Sequence, residues 1–145
     1  MLGLDLPTYL KKLKDLVEQA VYWAGRARHW ARIALTGVGI VEIQAGTGTM
    51  QVGEEEDAFS YFLVNDDLNS MTFFLISNPV PGTCFQIRND GFGLVQVQGM
   101  DDTIIISPGT LILRGNGSVV SLVAVRAKQD GVPALWNLVG DVLPL

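Results

Sequence analysis

Residues 9–35 read YLKKLKDLVEQAVYWAGRARHWARIAL, and apolar side chains return in this stretch every three and four positions without a break. Taking Leu10 as the first seam position, Leu10, Val17, Ala24 and Ala31 alternate with Leu13, Ala20, Ala27 and Ala34 over about four heptads. Tyr9, Leu16, Trp23 and Trp30 stand one residue before each seam residue of the first set, while Lys11, Lys12, Asp15, Glu18, Gln19, Arg26, His29 and Arg32 fall on the far side. The apolar stripe is wider than a two-stranded zipper needs. After Thr36 the period disappears, and apolar and polar residues alternate between glycines. This reading predicts a mainly β chain. An N-terminal amphipathic heptad helix in residues 1–36 precedes an antiparallel β-sandwich or jelly-roll-like domain in 37–145.

The two ends of the helix carry chain-stop chemistry. Leu6-Pro7-Thr8 opens it, where a missing amide proton costs nothing and a hydroxyl can cap, and Gly37 is placed to close it in a left-handed conformation. Three arrangements could cover the stripe. The helix could fold back on its own β-domain, associate with copies or another protein, or lie on a membrane surface through Trp23, Trp30 and its six Lys and Arg residues. In the second arrangement the oligomerisation or docking residues are Leu10, Leu13, Leu16, Val17, Trp23 and Trp30.

Composition narrows the partners. The chain has 145 residues, 48% of them hydrophobic, enough for a core in one globular domain plus an appendage. Charged residues make up only 17%, against about 25% in ordinary soluble domains, which fits a surface that meets other protein. Residues 1–35 hold six Lys/Arg and three Asp/Glu, net +3, and the remainder four and twelve, net −8. An acidic β-domain is a poor phosphate-backbone binder, so nucleic acid is not an expected partner. Cys84 is the only cysteine, which rules out an intrachain disulfide and a cysteine-rich zinc site. Charged residues from Lys11 onward interrupt any leader-like run, and the apolar stretches around Phe73 and Ile104 fall far short of the ~20 residues a membrane span requires.

Beyond the helix, strands are predicted at 40–45, 49–52, 58–64, 71–76, 84–89, 94–98, 103–106, 110–114, 119–126 and 134–139. Asn89-Asp90-Gly91 and Gly115-Asn116-Gly117 read as hairpin turns, as do the glycine-rich Gly46-Thr47-Gly48 and Gly91-Phe92-Gly93. Phe85 and Ile87, and Val95 and Val97, alternate with polar residues and point one way. The strands around Phe62, Phe73, Ile105 and Leu122 are apolar on both faces, which calls for cover on the outer side as well. Contacts between subunits are the economical cover.

Catalytic and ligand chemistry finds little to build on. His29 has no second histidine, and Cys84 has no neighbouring base in sequence. Glu54-Glu55-Glu56-Asp57, Asp66-Asp67 and Asp101-Asp102 could offer oxygen ligands, but none follows the spaced pattern of a calcium loop, and solvated loops account for them. No catalytic residue, cofactor or metal is expected. Phe92, Tyr61 or Trp136 could make a sugar-stacking platform, although strand aromatics more often belong to a core.

From Cys84 to Asp141 the chain resembles the β-modules of tailed-bacteriophage virion proteins, which include capsid decoration, head-fibre and tail-fibre proteins. The matching pieces are Phe85-Gln86-Ile87-Arg88-Asn89 with Gly91, Ile106-Ser107-Pro108-Gly109, Leu113-Arg114-Gly115-Asn116-Gly117-Ser118 and Trp136-Asn137-Leu138-Val139-Gly140-Asp141. The resemblance implies a homotrimeric, non-enzymatic virion protein, assembled in the host cytoplasm and attached through its N-terminal segment to a larger particle. Its partners would be copies of itself and the major capsid protein. A short tail-fibre or adaptor subunit bound to a tail protein, and a carbohydrate-binding module for a host glycan, are the alternative expectations.

Overall fold

The computed structural model describes residues 6–36, 39–43 and 48–145, without the side chains of residues 29, 30 and 32–36. The chain is mainly β with one N-terminal helix, and it divides into two compact units, Met1–Gly37 and Val38–Leu145. In the first unit α1 spans Leu6–Thr36. Leucine, lysine, glutamate and alanine favour helix here, and Pro7 sits in the first turn where it costs no hydrogen bond. The expected cap at Gly37 lies outside the described residues.

The second unit holds nine strands among the described residues: β1 Gly39–Ile43, β2 Thr49–Val52, β3 Ser60–Val64, β4 Met71–Leu75, β5 Cys84–Asn89, β6 Val95–Gly99, β7 Ile104–Ile106, β8 Val119–Arg126 and β9 Leu135–Gly140. Nine of the ten expected stretches therefore form strands, within a residue or two at most ends. The tenth, 110–114, makes only isolated bridges, Ile112 to Gln96 and Leu113 to Val142. Of the first expected strand, residues 44 and 45 lie outside the described residues.

Pairing departs from the antiparallel expectation. The strands form a six-stranded sheet in the order β1-β3-β5-β8-β9-β7 and a three-stranded sheet in the order β2-β4-β6. Among the described residues five pairings are parallel, and only β5–β8 and β8–β9 are antiparallel. Successive strands from β1 to β6 alternate between the sheets, so the chain winds as a coil. Gly39 pairs with Ser60, Thr49 with Thr72, Met71 with Val95 and Tyr61 with Gln86, giving 21 to 25 residues per turn. Parallel neighbours need a long crossover, usually a helix. Here a strand of the opposite sheet is the crossover. The Asn89-Asp90-Gly91 turn consequently joins β5 in one sheet to β6 in the other instead of closing a hairpin. Gly115-Asn116-Gly117 likewise leads into β8 from the bridging stretch rather than from a paired strand.

Buried side chains from both sheets form one hydrophobic core. Phe62 of β3 meets Phe73 of β4 at 5.9 Å between ring centroids, Phe62 meets Phe85 at 5.6 Å, and Phe85 meets Trp136 at 5.8 Å edge-on. Trp136 is completely buried, and its indole N–H donates to the Ile76 carbonyl at 3.1 Å. Gly53 lies close beside that ring, at φ 113, where an added Cβ would come within 2.6 Å of it. The alternation expected for β5 and β6 holds: Phe85, Ile87, Val95 and Val97 are buried, and Gln86 and Gln98 are exposed.

Candidate functional site

The feature that stands out is apolar surface without cover. In proteins most of the stability of a helix comes from packing its apolar face, and α1 has 31 residues over which to do so. Within α1, Lys14 and Glu18 form an exposed pair at 3.9 Å, and Arg26 donates to the Tyr22 hydroxyl at 2.9 Å while lying 5.3 Å from the Trp23 ring centroid. Such contacts contribute a few tenths of a kcal/mol each, up to about 1 kcal/mol for the cation over the indole. Every described side chain of α1 except Arg26 is exposed. Of the expected docking residues, Leu13 is 41% exposed and Leu10, Leu16, Val17 and Trp23 are 55–61% exposed. The side chain of Trp30 lies outside the described residues, as does that of His29. Tyr9, Val21 and Tyr22 widen the exposed surface.

A second uncovered surface belongs to the β-unit. On the side of the six-stranded sheet away from the core, Ile40, Ile104, Ile106, Val123, Val125 and Val139 are exposed. Register brings all of these but Ile40 near one another, since Val123 pairs with Asn137, Asn137 with Ile106, and Leu135 with Ile104, while Ile40 stands at the other edge of the sheet. Val125 is the extra residue where the β8–β9 register shifts. The charged residues in the strands of this sheet are Glu42, Arg88 and the terminal Arg126, while the other acidic residues of the β-unit lie outside the strands. The strands of Ile105 and Leu122, expected to be apolar on both faces, expose Ile104, Ile106, Val123 and Val125 to solvent on the outer side.

A third surface is made by two connections. Asp66 accepts from the backbone N–H groups of Leu68 and Asn69 at 3.0 and 2.9 Å, and Asp67 accepts from that of Phe92 at 3.0 Å. Buried Asn89 receives the Gly91 N–H and donates to the Gly93 carbonyl. A Cβ on Gly91 would fall 2.4 Å from the Asp66 carbonyl oxygen, so only glycine lets the two connections lie this close. From this stitched base Leu68 and Phe92 project 93% and 76% exposed. Of the three aromatics proposed for sugar stacking, Phe92 alone is fully presented. Tyr61 is partly buried and Trp136 belongs to the core.

Several polar side chains of the β-unit are engaged in structure. Asp57 accepts from the backbone N–H groups of Gly53 and Glu54 at 2.9 and 3.2 Å, closing the turn that leads to β3. Burial pushes its carboxyl above the ordinary 3.8, the two N–H groups pull it partly back, and Glu56 and Glu54 add to the rise. Arg88 pairs with Asp90 at 2.9 Å and Lys128 with Asp102 at 3.2 Å. Among the described residues no group of three or more His, Cys, Asp or Glu is placed to hold a metal ion, and no helix is long and apolar enough to cross a membrane. A cavity of about 660 Å³ opens between Asn78, Pro81 and residues 126–132. In it the Arg126 guanidinium is turned to the Pro133 carbonyl. No protein-family model, curated protein or solved structure matches the chain.

Proposed function

We propose that this chain is a non-enzymatic structural subunit of a tailed-phage virion, a homotrimeric capsid decoration or head-fibre protein. Its heptad helix would join copies to one another and to the major capsid protein. The observation that carries this reading is the exposure of Leu10, Leu13, Leu16, Val17 and Trp23 along one long helix. Each contributes on the order of 1.5–3 kcal/mol when fully covered, more than the exposed ion pair of α1 can supply. Support also comes from the apolar outer face of the six-stranded sheet and from the low proportion of charged residues. The β-unit is read as a two-layer sandwich of one mixed and one parallel sheet rather than of antiparallel ones. The resemblance of residues 84–141 to virion β-modules supplies the particle.

Phe92 and Leu68 favour a second reading, a short tail-fibre or adaptor subunit whose connections touch a host glycan or surface protein. Light scattering on the purified full chain tests the first reading. A trimer mass is expected, and a monomer that persists at high concentration would sink it. Binding on a glycan array, lost in Phe92→Ala, would favour the second.

A further inference from the structure

The residues flanking the seam of α1 differ from one side to the other. On one flank stand Tyr9, Leu16 and Trp23, without charge; on the other stand Lys14, Val21 and Arg28. All six are exposed, and Trp23 stays 59% exposed even with Arg26 near its ring. We infer that α1 pairs with α1 of other copies in parallel and in register, an inference that rests on the self-association reading above. In a parallel bundle the first flank of one helix meets the second flank of its neighbour five residues further on. Tyr9 then packs on Lys14 of the neighbouring copy, Leu16 on Val21, and Trp23 on Arg28. Each ring receives a cation and the aliphatic pair closes on itself.

The antiparallel alternative pairs each flank with its own kind. Centred on Val21, it sets Lys14 beside Arg28 of the neighbouring copy twice, and like charges at the seam margin repel. It also leaves Trp23 without an intermolecular cation. Charge therefore selects the parallel arrangement, with a second copy of the same helix as the occupant of the stripe. Lys14 and Arg28, which lie outside the apolar seam, become the residues that set orientation.

The two arrangements respond to one substitution with opposite sign. In the full chain, Arg28→Glu removes the cation from Trp23 in the parallel bundle and should weaken association several-fold by sedimentation equilibrium. In the antiparallel bundle it would create Lys14–Glu pairs and tighten association, which overturns the inference. Disulfide trapping gives an independent readout in a Cys84→Ser background. An oxidised mixture of Leu13→Cys and Ala31→Cys chains, which face each other in the antiparallel arrangement, should yield links between like positions. Mixed links, or an oligomer that cross-links at neither position, would overturn the parallel bundle while leaving the structural-subunit reading intact. A monomeric parent chain would overturn both.

Discussion

Two tryptophans separate the halves of this molecule. Trp136 is wholly buried with its N–H bonded to Ile76, whereas Trp23 is 59% exposed on a helix whose other described seam residues are also open. The same contrast holds for leucine: Leu122 and Leu138 have no exposure, and Leu10 and Leu16 keep more than half. Apolar content alone does not separate a core from a docking surface. What separates them is whether the same unit supplies the opposing surface. The β-unit does so through the core that its two sheets share, and among the described residues of the first unit α1 has no second helix to pack against.

Substitutions can break this contrast. Trp136→Ala should cost the β-unit about 3–5 kcal/mol, because it opens a large cavity between the sheets and leaves the Ile76 carbonyl without its donor. Chemical denaturation followed by circular dichroism would measure it. An effect below 1 kcal/mol would mean that the core closes differently. Gly53→Ala comes next, at about 1–3 kcal/mol, since φ 113 and the adjacent ring both exclude a methyl group, and the same titration reads it. On the helix, Leu13→Ala should leave β-unit unfolding unchanged yet weaken association about tenfold or more, as light scattering over a dilution series would show. If Leu13→Ala instead lowered β-unit stability, its side chain would belong to a core and the contrast would fail.

The smallest expected effect sharpens the β side. Asp57 holds its proton more firmly in the folded chain than in the unfolded one, because its folded value is raised. Its contribution to stability is thus greatest below pH 3.8 and declines as pH rises from there through the raised value. Asp57→Asn should flatten that decline in denaturation midpoints measured between pH 3 and 7. An unchanged slope would place the proton uptake elsewhere.

Strand positions could be read from sequence because period-two alternation and Gly, Pro and Asn breaks are local signals. Residues 49–52, 84–89 and 119–126 needed no adjustment. The turn chemistry was also legible, but its consequence was not. Asn89-Asp90-Gly91 suits a hairpin, yet the buried Asn89 amide and the close approach of Gly91 to Asp66 make it the corner between sheets. The winding left no repeat to find. Residues paired across turns, such as Ile40, Tyr61 and Gln86, share no side-chain identity, only a place on the same face. Phe92 was legible as a candidate, but its pairing with Leu68 was not, since their proximity depends on Asp67 reaching across connections some 25 residues apart in the chain.

By itself the amino-acid order determined the long amphipathic helix, the strand segments, the charge contrast between the two parts and the small store of catalytic groups. Each of these follows from side-chain periodicity and composition, which act over a few neighbouring residues. Only the tertiary structure decided that the strands pair mostly in parallel, that one tryptophan is core while the other is open, and which apolar faces remain uncovered. Those outcomes depend on which distant segments meet, and local propensity carries no record of it.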